Sequence, residues 1–364
     1  MTTVHSSAAD SPVRDETDTV ASYPPVRALE IVLPGLVEPT GLQVRTRELA
    51  APARGEALVA VNATGVSFAE QSMRRGRYPG QPRFPFVPGY DVVGTVTEVG
   101  VGVNPALVGQ RVAAITKTGG WASHVILPAR DLLPVPKDLD VAEVETLVVN
   151  GITAWQLLHR IAKVQPGQVI LVYGANGGVG TTLVQLARQH GVRVLGAAHP
   201  RHHESLRSLG VEPVNYTDPA AMDAHVRTLA PGGVDAVFDN LGGPTLQRSW
   251  RLLARGGSLV NYSIASVTTG NLIWAFTRVL TRLAIWNIAP NGKKAVFYNI
   301  WAGHRTRPRR FRAHLRNDLT AVLDLLSTGA LIPQVAARLP LADAADALQI
   351  AESRTKIGKV VLLP

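Results

Sequence analysis

Residues 169 to 180 read Val-Ile-Leu-Val-Tyr-Gly-Ala-Asn-Gly-Gly-Val-Gly, and no other segment constrains the fold as tightly. An apolar run is followed by glycines at 174, 177 and 180, and an amphipathic stretch from Thr181 to His190 begins at once. The run suits a buried parallel strand, and the stretch suits a helix packed back onto it. Between them lies what a dinucleotide pyrophosphate requires. Gly174 permits the turn, Gly177 lets backbone approach phosphate, and Gly180 lets the helix pack on the strand. Gly178 and Val179 carry free N–H groups at the helix start, where the helix dipole favours an anion. The pattern is GxxGxxG rather than GxGxxG, so its context matters. A second strand, Arg193 to Ala198, follows at βαβ spacing. The chain is expected to bind a nicotinamide dinucleotide.

Strand and helix continue to alternate around this turn. Strands are predicted at Val169–Tyr173, Val192–Ala197, Val234–Asp239, Ser258–Tyr262 and Ala295–Ile300, with helices between, which makes an α/β, doubly wound parallel sheet. Upstream, Arg27 to Leu133 is a different texture. Short β-like runs at Ala57–Val61, Asp91–Val99, Arg111–Ile115 and Trp121–Leu127 are punctuated by Gly94, Gly100, Gly102 and Gly109, as in a compact β-rich domain. Helices are predicted over Val141–Val149 and Ile152–Val164. The C-terminal part offers helices around Ala313–Ser327 and Ala342–Ala351 and strands at Gln334–Leu339 and Gly358–Leu363. A length of 364 residues suits two domains.

Composition removes several classes of function. The chain has no cysteine, which excludes disulfides, thiolate metal sites and a cysteine nucleophile. Met1 to Tyr23 lack the basic start and apolar core of a signal peptide. Residues 1–24, rich in Ser, Thr, Asp and Ala, read as a disordered tail, and the cytoplasm is the expected location. The formal charge is +10, and His304 to Arg316 holds six arginines and no acid. No zinc-finger, aromatic RNP-like or helix-turn-helix pattern accompanies that cluster, so it reads as a solvated helix start and no nucleic-acid partner is expected. Asn271 to Ile288 is apolar but interrupted by Thr277, Arg278, Thr281 and Arg282. Spanning a bilayer would bury two charges, so no membrane span is expected. At 100° per residue the four make one polar stripe, and the helix is expected to pack on protein as a subunit or interdomain contact or a pocket wall.

Pro88-Gly-Tyr-Asp-Val-Val-Gly-Thr-Val-Thr-Glu-Val-Gly100, Gly119-Gly-Trp-Ala-Ser-His124, Asn150-Gly-Ile-Thr-Ala154, the glycine turn and Gly358-Lys-Val-Val-Leu362 together resemble the medium-chain dehydrogenase/reductase superfamily. Within it the chain is similar to the zinc-independent quinone oxidoreductases. Gly65 to Pro79 is similar to the vesicle amine transport protein-like branch, and also to enoylreductase domains of polyketide synthases. The resemblance implies a β-rich GroES-like catalytic domain built from both ends of the chain, residues 25–148 and 303–364. A Rossmann domain, residues 149–302, lies between them, with the active site in the cleft. It also implies a homodimer paired through the last Rossmann strand, Ala295–Ile300.

Zinc-dependent members place a Cys where this chain has Ser67 and a His-Glu pair where it has Tyr90-Asp91, and no HExxH is present. No metal is expected. Without one, hydrogen bonds must stabilise the substrate oxygen while hydride arrives. Tyr78 matches a tyrosine that lines this pocket in relatives, and with an ordinary pKa near 10 it is a donor at neutral pH. Ser67 and Glu70 stand where quinone oxidoreductases usually carry Asn and Asp. Serine still donates one hydrogen bond, but from a shorter side chain. The polyketide enoylreductase lysine falls near His202. Asn150 and Thr153 match residues beside the nicotinamide ribose, or alternatively cap a helix beginning near Ile152.

Cofactor choice rests on the end of the second strand. Enzymes using NAD present an acid there, and Gly196 to His203 contains none before Glu204. His199, Arg201 and His202 make a rim suited to a 2′-phosphate, with Arg201 able to bind it bidentately. Tyr216 matches a tyrosine that touches the same phosphate in relatives. Leu241, Ser263, Phe297 and Tyr298 complete the cofactor set that the resemblance implies. The expected function is zinc-independent, NADPH-dependent reduction of a quinone or α,β-unsaturated carbonyl, with Tyr78, Ser67 and Asn150 as catalytic residues. Two alternatives stay open. One is a tailoring reductase for a single natural product, with 271–288 shaping its pocket, and the other is a non-catalytic NADPH-binding interaction protein.

Overall fold

The computed structural model describes residues 25–267, 269–288 and 290–364. The tail expected over residues 1–24 lies outside the described residues. Strands β1 (Val26–Val32) and β2 (Gln43–Leu49) pair antiparallel by themselves. Then come β3 (Glu56–Val66), helix α1 (Phe68–Arg74), β4 (Asp91–Val99), β5 (Arg111–Ile115), β6 (His124–Pro128) and β7 (Leu133–Pro134). Helix α2 (Val141–Trp155) leads into β8 (Val169–Tyr173), α3 (Gly178–Gln189), β9 (Arg193–Ala198), α4 (His203–Ser208) and β10 (Glu212–Asn215). Next are α5 (Pro219–Leu229), β11 (Val234–Asp239), α6 (Thr245–Leu252), β12 (Leu253–Asn261), α7 (Leu272–Ile288) and β13 (Lys294–Phe297). The chain ends with α8 (Pro308–Ser327), β14 (Val335–Pro340), α9 (Ala344–Ser353) and β15 (Lys359–Leu363).

Six of these strands form a parallel sheet in the order β10-β9-β8-β11-β12-β13. Counted along the chain this is 3-2-1-4-5-6, the Rossmann order, which reverses direction between β8 and β11. The apolar run that opens the motif explains why β8 is central. Ile170 and Val172 enter one hydrophobic core and Leu171 and Tyr173 another, on opposite faces of the sheet. Side chains alternate with period two, so a strand covered by helices on both sides is apolar throughout.

The other large sheet runs β14-β15-β3-β4-β5-β7, with β6 on β3. Strand β15, from the far end of the chain, sits between β14 and β3. This is the GroES-like part, completed by both ends of the chain. We propose the partition into 25–148 plus 303–364 and 149–302, with α2 shared. Its first turns pack in the GroES-like core with α8, while Ala154 enters the Rossmann core.

Helix α2 also corrects one expectation. The sequence predicts two helices broken at Asn150-Gly151, but α2 is continuous and then widens into a π-helical turn over Gln156–Ala162. Gly151 reads as a breaker by propensity, yet it is a packing residue. A Cβ there would lie 2.9 Å from Val322 Cγ1 on α8. Asp140 caps the helix, accepting from Ala142 N at 3.1 Å and Glu143 N at 2.9 Å. Asn150 and Thr153 therefore sit mid-helix and cap nothing.

Helix α7 buries Val279 and Leu283 and stacks Trp286 on Trp250 at 5.0 Å, but leaves Ile273, Trp274, Ile285 and Ile288 exposed. The arginine-rich stretch is indeed a solvated helix start. Helix α8 begins at Pro308 with Arg305, Arg307, Arg309, Arg310 and Arg316 exposed. Among the described residues, no helix is long and apolar enough to cross a membrane.

Candidate active site

A cavity of about 690 Å³ opens between the two sheets, beside the β8/β11 reversal. The glycine turn forms one wall. Gly174 ends β8 with φ +62, and a Cβ there would lie 2.6 Å from Asn240 Nδ2. At Gly180 a Cβ would lie 2.1 Å from the Gly174 carbonyl oxygen, so helix and turn touch. At Gly178 it would lie 2.3 Å from Asn150 Nδ2. Gly177 differs, because a Cβ there would meet only the Gly174 carbonyl oxygen, at 3.3 Å. No side chain caps the N-terminus of α3, which carries Gly178, Val179 and Gly180, and the buried Asn240 Oδ1 on the same wall has no partner. Unused donors at the start of α3 fit a dinucleotide pyrophosphate, and the orphaned amide oxygen suits a hydroxyl or amide donor of such a ligand.

Further along, His199, Arg201, His202 and Tyr216 line the same cavity. His199 Nδ1 accepts from Arg201 N at 3.3 Å. His202 is buried with Nε2 at 3.2 Å from the Arg354 carbonyl, and burial lowers its pKa, so the ring is neutral at pH 7. Sequence reasoning missed Arg354 and Lys356, which line the cavity from the turn between α9 and β15. Gly358 N donates to the Asn176 carbonyl at 3.1 Å, holding that turn against the glycine loop. Arg77, Lys117, Arg201, Arg354 and Lys356 line the cavity, and among the described residues no aspartate or glutamate does; Lys359 also lines it but is paired with Asp91 and Glu145. Such a lining favours a polyanion.

The opposite end is aromatic. The Tyr78 hydroxyl donates to the Tyr90 hydroxyl at 2.8 Å, and Trp301 Nε1 donates to the same oxygen at 2.6 Å. Phe297 meets Phe276 edge-on at 4.8 Å. Leu241 and Ser263 lie on the wall beyond β11 and β12. Tyr298 donates to Gln156 Oε1 at 3.0 Å, and burial raises its pKa, with Thr153 beside it opposing the shift.

Ser67 lines the cavity and also has a structural occupation. It caps α1, accepting from Ala69 N at 3.1 Å while its hydroxyl donates to Glu70. Glu70 Oε2 in turn accepts from Ser67 N at 2.8 Å, completing a capping box. The serine proton is thus engaged within the protein. Burial raises the Glu70 pKa, which its bond from Ser67 opposes and nearby Asp91 reinforces.

Beneath the cavity Lys359 Nζ contacts Asp91 Oδ2 at 2.8 Å and Glu145 Oε1 at 2.7 Å, and all three side chains are buried. Gly65 on β3 leaves the room, because a Cβ there would lie 2.3 Å from Lys359 Cε. Burial alone would lower the lysine pKa, but the two carboxylates reverse this and raise it. Among the described residues no three His, Asp or Glu side chains gather in a metal-binding group.

Residues 53–137 match the alcohol dehydrogenase GroES-like domain family, and residues 209–362 match the zinc-binding dehydrogenase family. The rat synaptic vesicle membrane protein VAT-1 homolog is 32% identical over 353 residues, covering 94% of this chain and 85% of that protein. The chain belongs to the medium-chain dehydrogenase/reductase superfamily. This membership puts it among oxidoreductases. A second superfamily relative, 2-haloacrylate reductase from a Burkholderia species, is 32% identical over 333 residues, covering 87% of this chain and 93% of that enzyme. A mycobacterial protein solved in complex with NADPH is 29% identical with a TM-score of 0.78, covering 93% of this chain and 100% of that one. The superfamily and the α/β fold expected from the sequence both hold.

Proposed function

We propose that this chain reduces a quinone or an α,β-unsaturated carbonyl compound with NADPH, without zinc. One observation carries the reading. A single cleft joins an uncapped helix N-terminus, a cationic wall free of carboxylates, and an aromatic end that holds the Tyr78–Tyr90 phenol pair. The relatives' names support it, since one was solved with NADPH and another is a 2-haloacrylate reductase. When bound, NADPH supplies a hydride. The N–H groups of Gly178, Val179 and Gly180 would hold its pyrophosphate. Arg201, His199 and Tyr216, joined by Arg354 and Lys356, would hold a 2′-phosphate. Asn150, Thr153, Leu241, Ser263, Phe297 and Tyr298 would flank the nicotinamide riboside, and aromatic residues such as Phe276 and Trp301 would keep water from the acceptor. A phenol of the Tyr78–Tyr90 pair would hydrogen-bond the oxygen on which charge develops and supply a proton. Ser67 would shape α1 from the cavity wall, with its proton held by Glu70.

The test follows NADPH absorbance with a panel of quinones and enones. Turnover with at least one acceptor is expected, with NADPH preferred over NADH. Arg201→Ala should weaken NADPH by roughly 1.5–3 kcal/mol, the range for charge-assisted hydrogen bonds, while leaving NADH unchanged. Equal losses for both nucleotides would remove Arg201 from the phosphate site. Cofactor binding without turnover on any acceptor would favour the interaction-protein alternative.

We also propose a homodimer. Strand β13 is the edge of its sheet, and α7 beside it exposes Ile273, Trp274, Ile285 and Ile288. An open strand edge next to an apolar face is a surface that natural proteins cover. Sedimentation at micromolar concentration should show a two-chain particle, and a monomer there rules the pairing out.

A further inference from the structure

The Tyr90 hydroxyl is a meeting point of donors. Tyr78 donates to it at 2.8 Å and Trp301 Nε1 at 2.6 Å. An indole N–H only donates, so the second bond has one possible direction. With both lone pairs of the Tyr90 oxygen occupied, its own proton has no partner among the described residues, and Tyr90 lines the cavity. We propose that Tyr90 gives its proton to the reduced substrate, while Tyr78 and Trp301 hold the phenolate it leaves behind. This assignment rests on the reductase reading above.

The electrons and protons balance without a further reagent. A hydride forms the new C–H bond at the β-carbon, and the acceptor's π pair moves toward the α-carbon and carbonyl oxygen. The Tyr90 O–H bond then breaks with its electron pair left on oxygen, and the proton goes to the α-carbon, or to oxygen in a quinone. Two incoming hydrogen bonds stabilise that phenolate before water returns the proton. Charge-assisted bonds of this kind are about twice as strong as neutral ones. Geometry keeps the arrangement rigid. Tyr90 is 5% exposed, Trp301 meets it edge-on at 6.2 Å, and Trp301 stacks on Phe311 at 6.0 Å.

The same bonds separate the two phenols. Burial raises the pKa of both. The bonds from Tyr78 and Trp301 lower that of Tyr90, with Glu70 and Asp91 opposing, whereas Tyr90 beside it raises that of Tyr78 further. Ionising Tyr78 would forfeit the bond it donates, while ionising Tyr90 strengthens two.

Three full-length variants test the assignment, each keeping an aromatic ring: Tyr90→Phe, Tyr78→Phe and Trp301→Phe. On an enone that the wild type reduces, Tyr90→Phe should lower kcat by about 10²-fold, the low end for positioned acid catalysis, with NADPH affinity unchanged. Trp301→Phe acts through Tyr90. It should lower kcat about ten-fold, leave KM alone and enlarge the solvent isotope effect. A second readout needs no turnover. 4-Nitrophenolate, an unreactive oxyanion, should bind at least about ten-fold more weakly to Tyr90→Phe, and less weakly affected should be Tyr78→Phe. If Tyr78→Phe loses more than Tyr90→Phe in both measurements, the acid is Tyr78 and the assignment is wrong. Full rate and full phenolate affinity in Tyr90→Phe overturn it equally. A wild type inactive on every acceptor, with Tyr90→Phe still the weakest phenolate binder, would remove the reductase reading and leave Tyr90 as the donor of the cleft.

Discussion

Lys359→Met is expected to destabilise the protein by about 3–5 kcal/mol, the usual cost of leaving a buried charge without its partner. Lys359 Nζ lies 2.8 Å from Asp91 and 2.7 Å from Glu145, and none of the three reaches water. Methionine fills the space but leaves two facing carboxyls. Glu145→Gln should behave quite differently. Burial raises the Glu145 pKa well above the usual carboxylate range, with Lys359 opposing and Asp91 reinforcing. An amide keeps an oxygen that can accept from Lys359 Nζ and leaves Asp91 as the counter-ion of the lysine. Urea unfolding of both variants decides the matter. A loss under about 1 kcal/mol in Lys359→Met, within the range of ordinary substitutions, would contradict the buried-charge account.

Gly180→Ala and Gly177→Ala should separate folding from cofactor binding. A Cβ at 180 would lie 2.1 Å from the Gly174 carbonyl oxygen and 2.8 Å from Ala175 Cα, both backbone atoms that cannot turn aside. Overpacking of this kind costs about 1–3 kcal/mol, and the glycine loop must shift, so both melting temperature and NADPH affinity should fall. At 177 φ is −83, which alanine adopts freely, and the nearest protein atom would be 3.3 Å from the new Cβ. That neighbour is again the Gly174 carbonyl oxygen, which need give only a few tenths of an ångström, so the stability loss should be smaller than in Gly180→Ala, while NADPH binding falls about ten-fold or more, equivalent to about 1.4 kcal/mol. Calorimetric titration alongside melting distinguishes the two. Unchanged NADPH affinity in Gly177→Ala would mean that backbone does not approach phosphate there.

What the sequence made legible was local. The apolar run of β8, the glycine spacing and the acid-free end of β9 each lie within a few residues, so periodicity and turn chemistry suffice to read them. The cation-lined cleft was half legible for the same reason. Arg201 follows its strand directly, whereas Arg354 and Lys356 reach the cavity only because β15 pairs with β3 and Gly358 meets Asn176. Gly151 was misread because its role is a contact with Val322 on another helix, and tertiary packing overrides propensity. Ser67 and Glu70 carried a capping-box spacing that could have been recognised, directly past the strand end and just before a helix. Tyr90 and Trp301 are 211 residues apart, and no pattern in either neighbourhood announces their hydrogen bond.

The charge cluster under the cleft has a consequence for how the chain is made. Lys359 and Asp91 are separated by 268 residues, with the entire Rossmann sheet between them. Long-range pairings of this kind form late, after the entropy of closing the intervening chain has been met. During synthesis β3 and β4 emerge long before β15, so the GroES-like sheet waits with an open seam at β3 and with Asp91 and Glu145 lacking their cation. The Rossmann sheet, built from neighbouring βαβ units, meets no such delay. Strands β3 to β7 pair among themselves early, so what waits is the Thr64–Val66 edge of β3, and that edge is where the nascent protein is most open to mispairing or to a chaperone.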